Sequence, residues 1–290
     1  MRRAVCALLL GFATLASGQP VKVESVTWLV SNVHGTARPI DGMLAYLGQR
    51  WPEVKQEELT ANAKRSWQLI AAGEHACHTS AVRTPEREQL AYFTNTVLMA
   101  PSQVIVKRDL YKRLPLNAAG EVDLARLMAD KRLSGAYVEG RSYGPVIDAL
   151  IAQRPAGKSG GAFGYPSADF GSRILPMLGR GRADYAIEYE AAMALQVGNG
   201  VDMKLLRSVP IQGASEPVLA GIACPRTPWG LAAITTIDRL LGNPEAAAML
   251  RQQFGTRMSE DSLRHYGARI DAFTQLRSKP SREYATPGTR

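Results

Sequence analysis

Short strand-like segments alternate with helical segments along this 290-residue chain, and no other feature constrains the fold as strongly. The series opens with VTWLV, DGMLAYLGQRW, VKQEEL and AKRSWQLIAAG, at residues 26–30, 41–51, 54–59 and 63–73. Strands of this length between helices are typical of βαβ units, in which parallel strands are connected through helices. The alternation therefore predicts an α/β fold.

The same pattern returns in the middle of the chain and near its end. Strand-like segments lie at 97–110, 135–140, 184–189 and 218–224. Segments with the apolar periodicity of helices lie at 144–154 and 167–181. Three more follow one another at 228–242, 244–255 and 259–273. The recurrence predicts a second α/β unit and a helical C-terminal part.

The first 18 residues have the pattern of a secretory signal peptide. Arg2 and Arg3 precede an apolar run over 4–16, and the small residues Ser17 and Gly18 follow it. This run is shorter than the roughly 20 apolar residues that a membrane-spanning helix needs, and no later stretch approaches that length. We therefore expect an exported protein of the bacterial periplasm that does not insert into the membrane.

Two stretches, PLNAAGEVDL at 115–124 and VPIQGASEPV at 209–218, look like connectors between compact units. Two connectors indicate that the chain leaves a first lobe and later returns to it, and the cleft between such lobes is the natural ligand site. We expect a signal peptide at 1–18 and a flexible tail at 279–290. Lobe 1 is expected to comprise 19–114 and 215–278, and lobe 2 to comprise 115–214.

The chain carries 35 Lys and Arg against 26 Asp and Glu, a formal net charge of +9. These basic residues are spread along the chain without a dense run, which favours a mildly basic, solvated surface over a nucleic-acid-binding one. Together with the export signal, this distribution predicts no nucleic-acid partner.

The segment HACHTSAVRTPERE, at 75–88, gathers two of the four histidines with a cysteine. Alternate side chains of a strand point to opposite faces, so His75, Cys77 and His78 cannot converge on one metal ion. The chain has no G-x-S-x-G motif, and Cys77 has no histidine at a recognisable offset. We therefore expect no metal, no cofactor and no catalytic residue, and we interpret the segment as the wall of a pocket.

Six segments, AAGEHAC, TPERE, FTNTVLMAPSQVIVKRD, GAYVEGRSYGP, GRGRADYAIEY and VLAGIACPRTPWGLAAITTIDRLL, follow one another in this order. The series resembles the type 2 periplasmic solute-binding proteins, specifically the family 3 (polar amino acid) branch, and CPRTPWG resembles a segment of a group of exported members. The resemblance covers most of the mature chain. It implies an α/β, two-lobe Venus flytrap architecture with a mixed sheet in each lobe.

The same resemblance implies a function. Such a protein is not an enzyme and closes its two lobes by hinge motion on a small polar solute, anionic or zwitterionic, that bears a carboxylate. Its partner would be the inner-membrane permease of an ABC transporter, a sensor or an electron-transfer system, and the sequence does not choose among them.

TPERE has the local signals of a helix start, with Thr84 at the N-cap, Pro85 at the first helical position, and Glu86 and Glu88 near the positive helix end. Arg87 is unfavourable in that first turn, but its planar fork suits a carboxylate. The residues alone favour a surface ion pair with Glu86 or Glu88. The resemblance instead assigns Arg87 to the carboxylate of the ligand.

One position departs from the family pattern. The amino-acid binders usually carry a hydroxyl residue two positions before the threonine that corresponds to Thr84, and here Val82 occupies that position. This difference argues against a standard amino acid as the ligand.

Two neighbouring residues are expected on the lobe 2 side of the cleft. Ser142 precedes a helix with Pro145 in its first turn. The Ser142 hydroxyl and the free backbone N–H groups at the helix start could donate hydrogen bonds to an anion, and Arg141 could add positive charge. Simple capping by Ser142 and surface coverage by Arg141 are the alternatives.

Two further ligand contacts are implied by the resemblance. Glu188 lies near the C-terminal end of a strand, where α/β sheets place ligand contacts, and the family has an acid nearby that holds a ligand ammonium. Trp28 lies in the first strand, near the family's aromatic platform, and Asn32 and His34 follow in a loop toward the cleft. A solvated acid and a buried core tryptophan are the alternatives for Glu188 and Trp28.

Cys77 and Cys224 are the cysteines that remain after cleavage of the signal peptide, and each lies in an apolar strand-like run. In an oxidising compartment, these cysteines could form a disulfide or remain as two buried thiols, and the sequence does not decide between the two. We expect VLAGIAC to lie antiparallel beside the HACHT strand, within bridging distance.

Two other functions stay open. A periplasmic enzyme on the same scaffold would need a base and a nucleophile in the cleft, and His34 with Glu188 is the candidate pair. A protein that has lost ligand binding and serves as an interaction partner is compatible with Val82, and a cleft filled by its own side chains would favour it.

Overall fold

A computed structural model describes residues 21–31, 38, 40–153, 161–166, 174–194, 202–255, 258, 260–282 and 284. The expected signal peptide, Asn32 and His34 lie outside these residues. Within the described part of the chain, no helix is both long and apolar enough to cross a membrane.

The described residues form ten strands, which we number β1 to β10 in chain order: Ser25–Val30, Lys55–Thr60, Ala76–Val82, Ala91–Met99, Ser102–Lys107, Ser134–Val138, Gly161–Tyr165, Tyr185–Tyr189, Leu206–Val209 and Val218–Pro225. Ten α-helices, α1 to α10, cover Asp41–Arg50, Ala63–Ala71, Pro85–Glu88, Leu124–Ala129, Pro145–Ala152, Ile174–Gly179, Glu190–Ala194, Pro228–Leu241, Pro244–Gly255 and Glu260–Arg277. Short 3₁₀ helices cover Arg108–Arg113 and Met203–Leu205.

The strands form two five-stranded sheets, in the orders β2-β1-β3-β10-β4 and β7-β6-β8-β5-β9. In the first sheet β1 is parallel to β2 and β3, whereas β10 is antiparallel to β3 and β4. In the second sheet β6 is parallel to β7 and β8, whereas β5 is antiparallel to β8 and β9. Each lobe therefore contains one mixed sheet, as the family resemblance implies.

Each lobe has an apolar core, and a further apolar cluster spans both lobes. Buried side chains such as Met43 and Leu47 pack together in lobe 1, and Ile174 belongs to a core of lobe 2. The shared cluster packs Leu127 of lobe 2 with Val97 of lobe 1. Burying one such side chain stabilises the fold by about 1.5–3 kcal/mol, so each lobe has its own source of stability.

The expected boundary between the lobes at 114/115 needs a correction. The chain changes sheets at Ala100-Pro101, because β4 lies in the first sheet and β5 pairs with β8 and β9 in the second. The sequence pattern predicts one strand over 97–110, and the structure divides it between β4 and β5. Proline has no backbone N–H and a fixed φ, so a strand ladder is readily interrupted there. The return to lobe 1 falls between β9 and β10, across the second expected connector.

Two described residues of the expected flexible tail at 279–290 form hydrogen bonds with lobe 1. Asp238, which is fully buried, forms an ion pair with Arg277 at 3.0 Å. Asp238 also accepts hydrogen bonds from the Ser281 hydroxyl at 3.0 Å and the Arg282 backbone N–H at 3.1 Å. A buried carboxylate needs such partners, and this requirement fixes 281–282 against lobe 1.

A disulfide joins β3 to β10. Cys77 and Cys224 are bonded, with their Cα atoms 4.4 Å apart, and both side chains are fully buried. The bond links two adjacent antiparallel strands of lobe 1 that are separated by the whole of lobe 2 in sequence.

Candidate ligand-binding cleft

A cavity of about 90 Å³ opens between the two lobes. Lobe 1 supplies Trp67, His78 and Arg87 to its lining, and lobe 2 supplies Arg141 and Tyr189. A water molecule needs roughly 10–15 Å³ of such space, so the cavity could hold about six to nine waters, or a solute with about as many non-hydrogen atoms.

Arg87 is placed by local sequence signals. Thr84 is the N-cap of α3, and its hydroxyl accepts a hydrogen bond from the Arg87 backbone N–H at 3.3 Å. Pro85 occupies the first turn, as its fixed φ favours. This short helix begins directly after β3 and therefore presents Arg87 at the end of a central strand of lobe 1.

The Arg87 guanidinium bridges the lobes. It donates to the Val82 carbonyl at 2.9 Å in lobe 1 and to the Gly140 carbonyl at 3.0 Å in lobe 2, and it lies 4.7 Å from the Trp67 ring centroid. A guanidinium has five N–H donors, so three remain for another acceptor.

No described carboxylate forms an ion pair with Arg87. Burial lowers the pKa of Arg87, and Asp148 is the first of the groups that oppose this effect. The side chain nevertheless stays charged, because arginine is not deprotonated in proteins. The alternative of a surface pair is not found: Glu88 pairs with Arg83 instead, and Glu86 forms no ion pair with Arg87. Arg87 is thus a half-buried cation without a carboxylate partner among the described residues.

Gly140 brings lobe 2 against lobe 1. It lies in the turn between β6 and α5 with φ of +73°, a conformation that favours glycine. A Cβ atom at this position would lie 3.0 Å from the backbone nitrogen of Lys64, at the start of α2. With the Arg87–Gly140 hydrogen bond, this close approach shows that the cleft is closed.

Arg141 lines the cavity, whereas its partner lies behind it. Arg141 donates to the Glu188 carboxylate at 2.7 Å, and Glu188 is completely buried and outside the cavity lining. Burial by itself would lower the pKa of Arg141. The negative charge of Glu188 is the largest of the effects that oppose burial, and the pKa of Arg141 is raised as a result. The second Glu188 oxygen accepts from the Tyr189 backbone N–H at 2.9 Å, so both oxygens have partners.

Ser142 and Trp28 are not part of the cavity lining. The Ser142 hydroxyl donates to Asp148, and its carbonyl accepts from the Tyr189 hydroxyl at 2.8 Å. The N-cap of α5 is Gly144 rather than Ser142. Trp28 lies in the core of lobe 1, where its indole N–H donates to Gln56 at 3.1 Å. Both residues thus lie behind the walls of the cleft.

His78 faces the cleft as a neutral side chain. Burial, reinforced by the charges of Arg87 and Arg141, lowers the pKa of His78 from 6.5 to about 3. Its Nδ1 accepts from the Ser80 backbone N–H at 3.3 Å, which assigns the ring proton to Nε2. His78 therefore adds a hydrogen-bond donor and no charge.

Sequence reasoning missed two of the aromatic residues in the lining. Trp67 lies on α2 among mostly polar neighbours, and this isolated aromatic residue was the available signal. Tyr189 was placed on the face of β8 opposite Glu188 but was not proposed for the site. Among the described residues, no three His, Cys, Asp or Glu side chains are arranged to hold a metal ion.

No protein-family model and no curated protein matches the sequence. Solved structures do match. The substrate-binding protein of an amino acid ABC transporter aligns with a TM-score of 0.58 and 14% identity, over 81% of this chain and 100% of that one. The AbpA protein of Streptococcus pneumoniae, an amino acid ABC transporter substrate-binding protein bound to L-arginine, aligns with a TM-score of 0.56 and 14% identity. This alignment covers 81% of this chain and 96% of that one.

Sensor domains match as well. The periplasmic VFT2 domain of Bordetella pertussis BvgS gives a TM-score of 0.55 at 16% identity, over 81% of this chain and 93% of that one. A histidine kinase sensor domain with similarity to periplasmic binding proteins aligns with a TM-score of 0.52 and 14% identity, over 89% of this chain and 96% of that one. The expected two-lobe periplasmic binding protein fold is thereby confirmed.

Proposed function

We propose that this chain is an exported, periplasmic solute-binding protein whose lobes close on a small carboxylate-bearing solute, with Arg87 as the anchor. The observation that carries the proposal is the half-buried Arg87 guanidinium, which lines the closed cleft and has no carboxylate in ion-pair contact among the described residues. A buried charge without a counter-charge is costly, and an anionic ligand would supply that counter-charge.

Of the other predicted residues, Arg141 contacts the solute in this proposal, and Glu188, Ser142 and Trp28 support the residues that line the cleft. Arg141 contacts the solute from lobe 2, and Glu188 positions Arg141 through their ion pair. Ser142 fixes Tyr189 through its carbonyl, and Trp28 supports the wall from the core. Closure then brings cationic groups from both lobes to one solute.

The partner is a permease or a sensor. Substrate-binding proteins of amino acid ABC transporters among the similar structures support delivery to an inner-membrane permease, and the sensor domains support a signalling partner. The ion pair of Glu188 with Arg141 favours binding over the enzyme hypothesis, because that hypothesis required Glu188 as a free base beside His34.

The test is to release small molecules from the purified full-length protein by denaturation and identify them by mass spectrometry. Wild type and Arg126→Ala, a control at an exposed arginine of lobe 2, should release the same organic acid in near-equimolar amount. Arg87→Ala should release less than about a tenth of it, since removing one member of a desolvated charge pair typically costs a factor of roughly 30 or more in affinity.

Two results would contradict the proposal. One is a released solute without an acidic group. The other is equal recovery of the acid from Arg87→Ala and from wild type, with both proteins folded by circular dichroism.

A further inference from the structure

We infer that the cleft selects an acid that has no ammonium group and has an apolar body, and so discriminates against amino acids. This inference rests on the proposed function and concerns the chemical class of the solute. It follows from the charges around the cavity and from the side chains that form the rest of its lining.

The described lining contains three arginines and no carboxylate. Arg38 pairs with Asp41 at 2.6 Å and with Glu58 at 2.7 Å, and Arg141 pairs with Glu188. These carboxylates lie outside the lining and are each bound to an arginine. Arg87 is the lining cation that lacks such a pair, so the described walls offer a site for one negative charge.

An ammonium group on the solute would have no such site. In an α-amino acid the ammonium lies next to the carboxylate, so it would be held close to the Arg87 guanidinium. Glu188 has both oxygens engaged, and the Val82 carbonyl already accepts from Arg87. A desolvated cation without a counter-charge is strongly disfavoured.

Asp148, the carboxylate whose charge opposes the effect of burial on Arg87, is also engaged. One of its oxygens accepts from the Ser142 hydroxyl, and the other accepts from the Tyr143 backbone N–H at 2.8 Å. It does not line the cavity. Asp148 and Glu188 therefore stabilise the protein's own loops and Arg141.

The remainder of the lining suits a hydrocarbon body. Much of the lining consists of apolar side chains from lobe 1: Ile40, Trp67, Val82, Val97, Met99 and Phe254. The hydroxyl side chains of Ser31, Thr79, Ser80 and Thr96 also belong to it. His78 is neutral and adds a donor rather than a charge. A solute with one carboxylate and a body of a few carbon atoms would meet both features.

The experiment compares acids that differ only in the α-ammonium group, by isothermal titration calorimetry on the dialysed full-length protein. The pairs are propionate with L-alanine, 3-methylbutanoate with L-valine, and 4-methylpentanoate with L-leucine. In at least one pair, the acid without the amino group should bind at least tenfold more tightly than the amino acid. Arg87→Ala should lose that binding, whereas Arg126→Ala should keep it.

Equal or tighter binding of the amino acid in every pair would overturn the inference and leave the proposed function intact. Binding of none of the six compounds would also overturn it, because the stated class would then be wrong. The released-solute experiment decides the proposed function independently, since it does not depend on these probes.

Discussion

His78 shows how the cleft affects the chemistry of a single residue. The pKa of His78 is about 3 in the folded protein, against 6.5 for the ordinary side chain, because burial and the charges of Arg87 and Arg141 oppose protonation. The unfolded chain therefore binds one more proton than the folded chain between these two pH values. Stability from this residue is full above pH 6.5 and is lost as the pH falls toward 3.

This difference predicts a pH-dependent loss of stability that belongs to His78. Between pH 7 and pH 4.5 the wild type should lose about 2–3 kcal/mol of unfolding free energy through this group, and His78→Gln should lack that component. Urea unfolding at both pH values measures it, with His265→Gln, at an exposed histidine, as the control that keeps the wild-type difference. An unchanged pH dependence in His78→Gln would show that folding does not lower the pKa of His78.

At the scale of elements, the turn between β6 and α5 controls how closely the lobes approach. Gly140 combines a positive φ with a carbonyl that accepts from Arg87, and its Cα faces the backbone of Lys64. Because the contact is with backbone rather than with a flexible side chain, neither lobe can yield easily. The turn acts as a contact point for the closed state.

Gly140→Ala should therefore open the cleft without unfolding either lobe. The left-handed conformation costs a non-glycine residue about 1–2 kcal/mol, and the added Cβ would press on α2. Small-angle X-ray scattering should show a larger radius of gyration, and affinity for the released solute should fall. Gly181→Ala is the matched control, since Gly181 has φ of +67° and no neighbour within 4 Å of the added Cβ. If both variants stayed as compact as wild type, the turn would not limit closure.

At the scale of the whole molecule, the disulfide closes a loop that contains the whole of lobe 2. Cys77 and Cys224 are 147 residues apart, and lobe 2 lies entirely between them. The bond ties the returning strand β10 to β3 and so keeps the two parts of lobe 1 together while the chain is unfolded. Its contribution in the chain-entropy model is about 5 kcal/mol, with typical measured values of about 2–4 kcal/mol.

Reduction of the wild type should lower its unfolding free energy by about 2–5 kcal/mol in urea. Comparing oxidised and reduced wild type isolates the cross-link, because the side chains stay almost the same. The double variant Cys77→Ala/Cys224→Ala should unfold at the same urea concentration with and without reductant. A wild-type transition that does not respond to reductant under denaturing conditions would indicate two free thiols.

The sequence by itself determined the features that depend on neighbouring residues. The alternation of short strands and helices predicted the α/β class and the order of most elements. Thr84 and Pro85 predicted the start of α3, because a cap acts through atoms only three residues away. The same signals placed Arg87 in the first turn of this helix, and the resemblance of the ordered segments predicted the two-lobe fold.

Only the tertiary structure decided which distant groups meet. The assignment of β5 to the second sheet depends on its pairing with β8 and β9, which no local pattern shows. The partner of Glu188 is Arg141, 47 residues earlier, and the contact of Arg87 with Gly140 spans 53 residues and both lobes. Such contacts depend on how complete sheets and lobes pack, because the free energy of an ion pair or hydrogen bond is set by the distance and burial that packing creates.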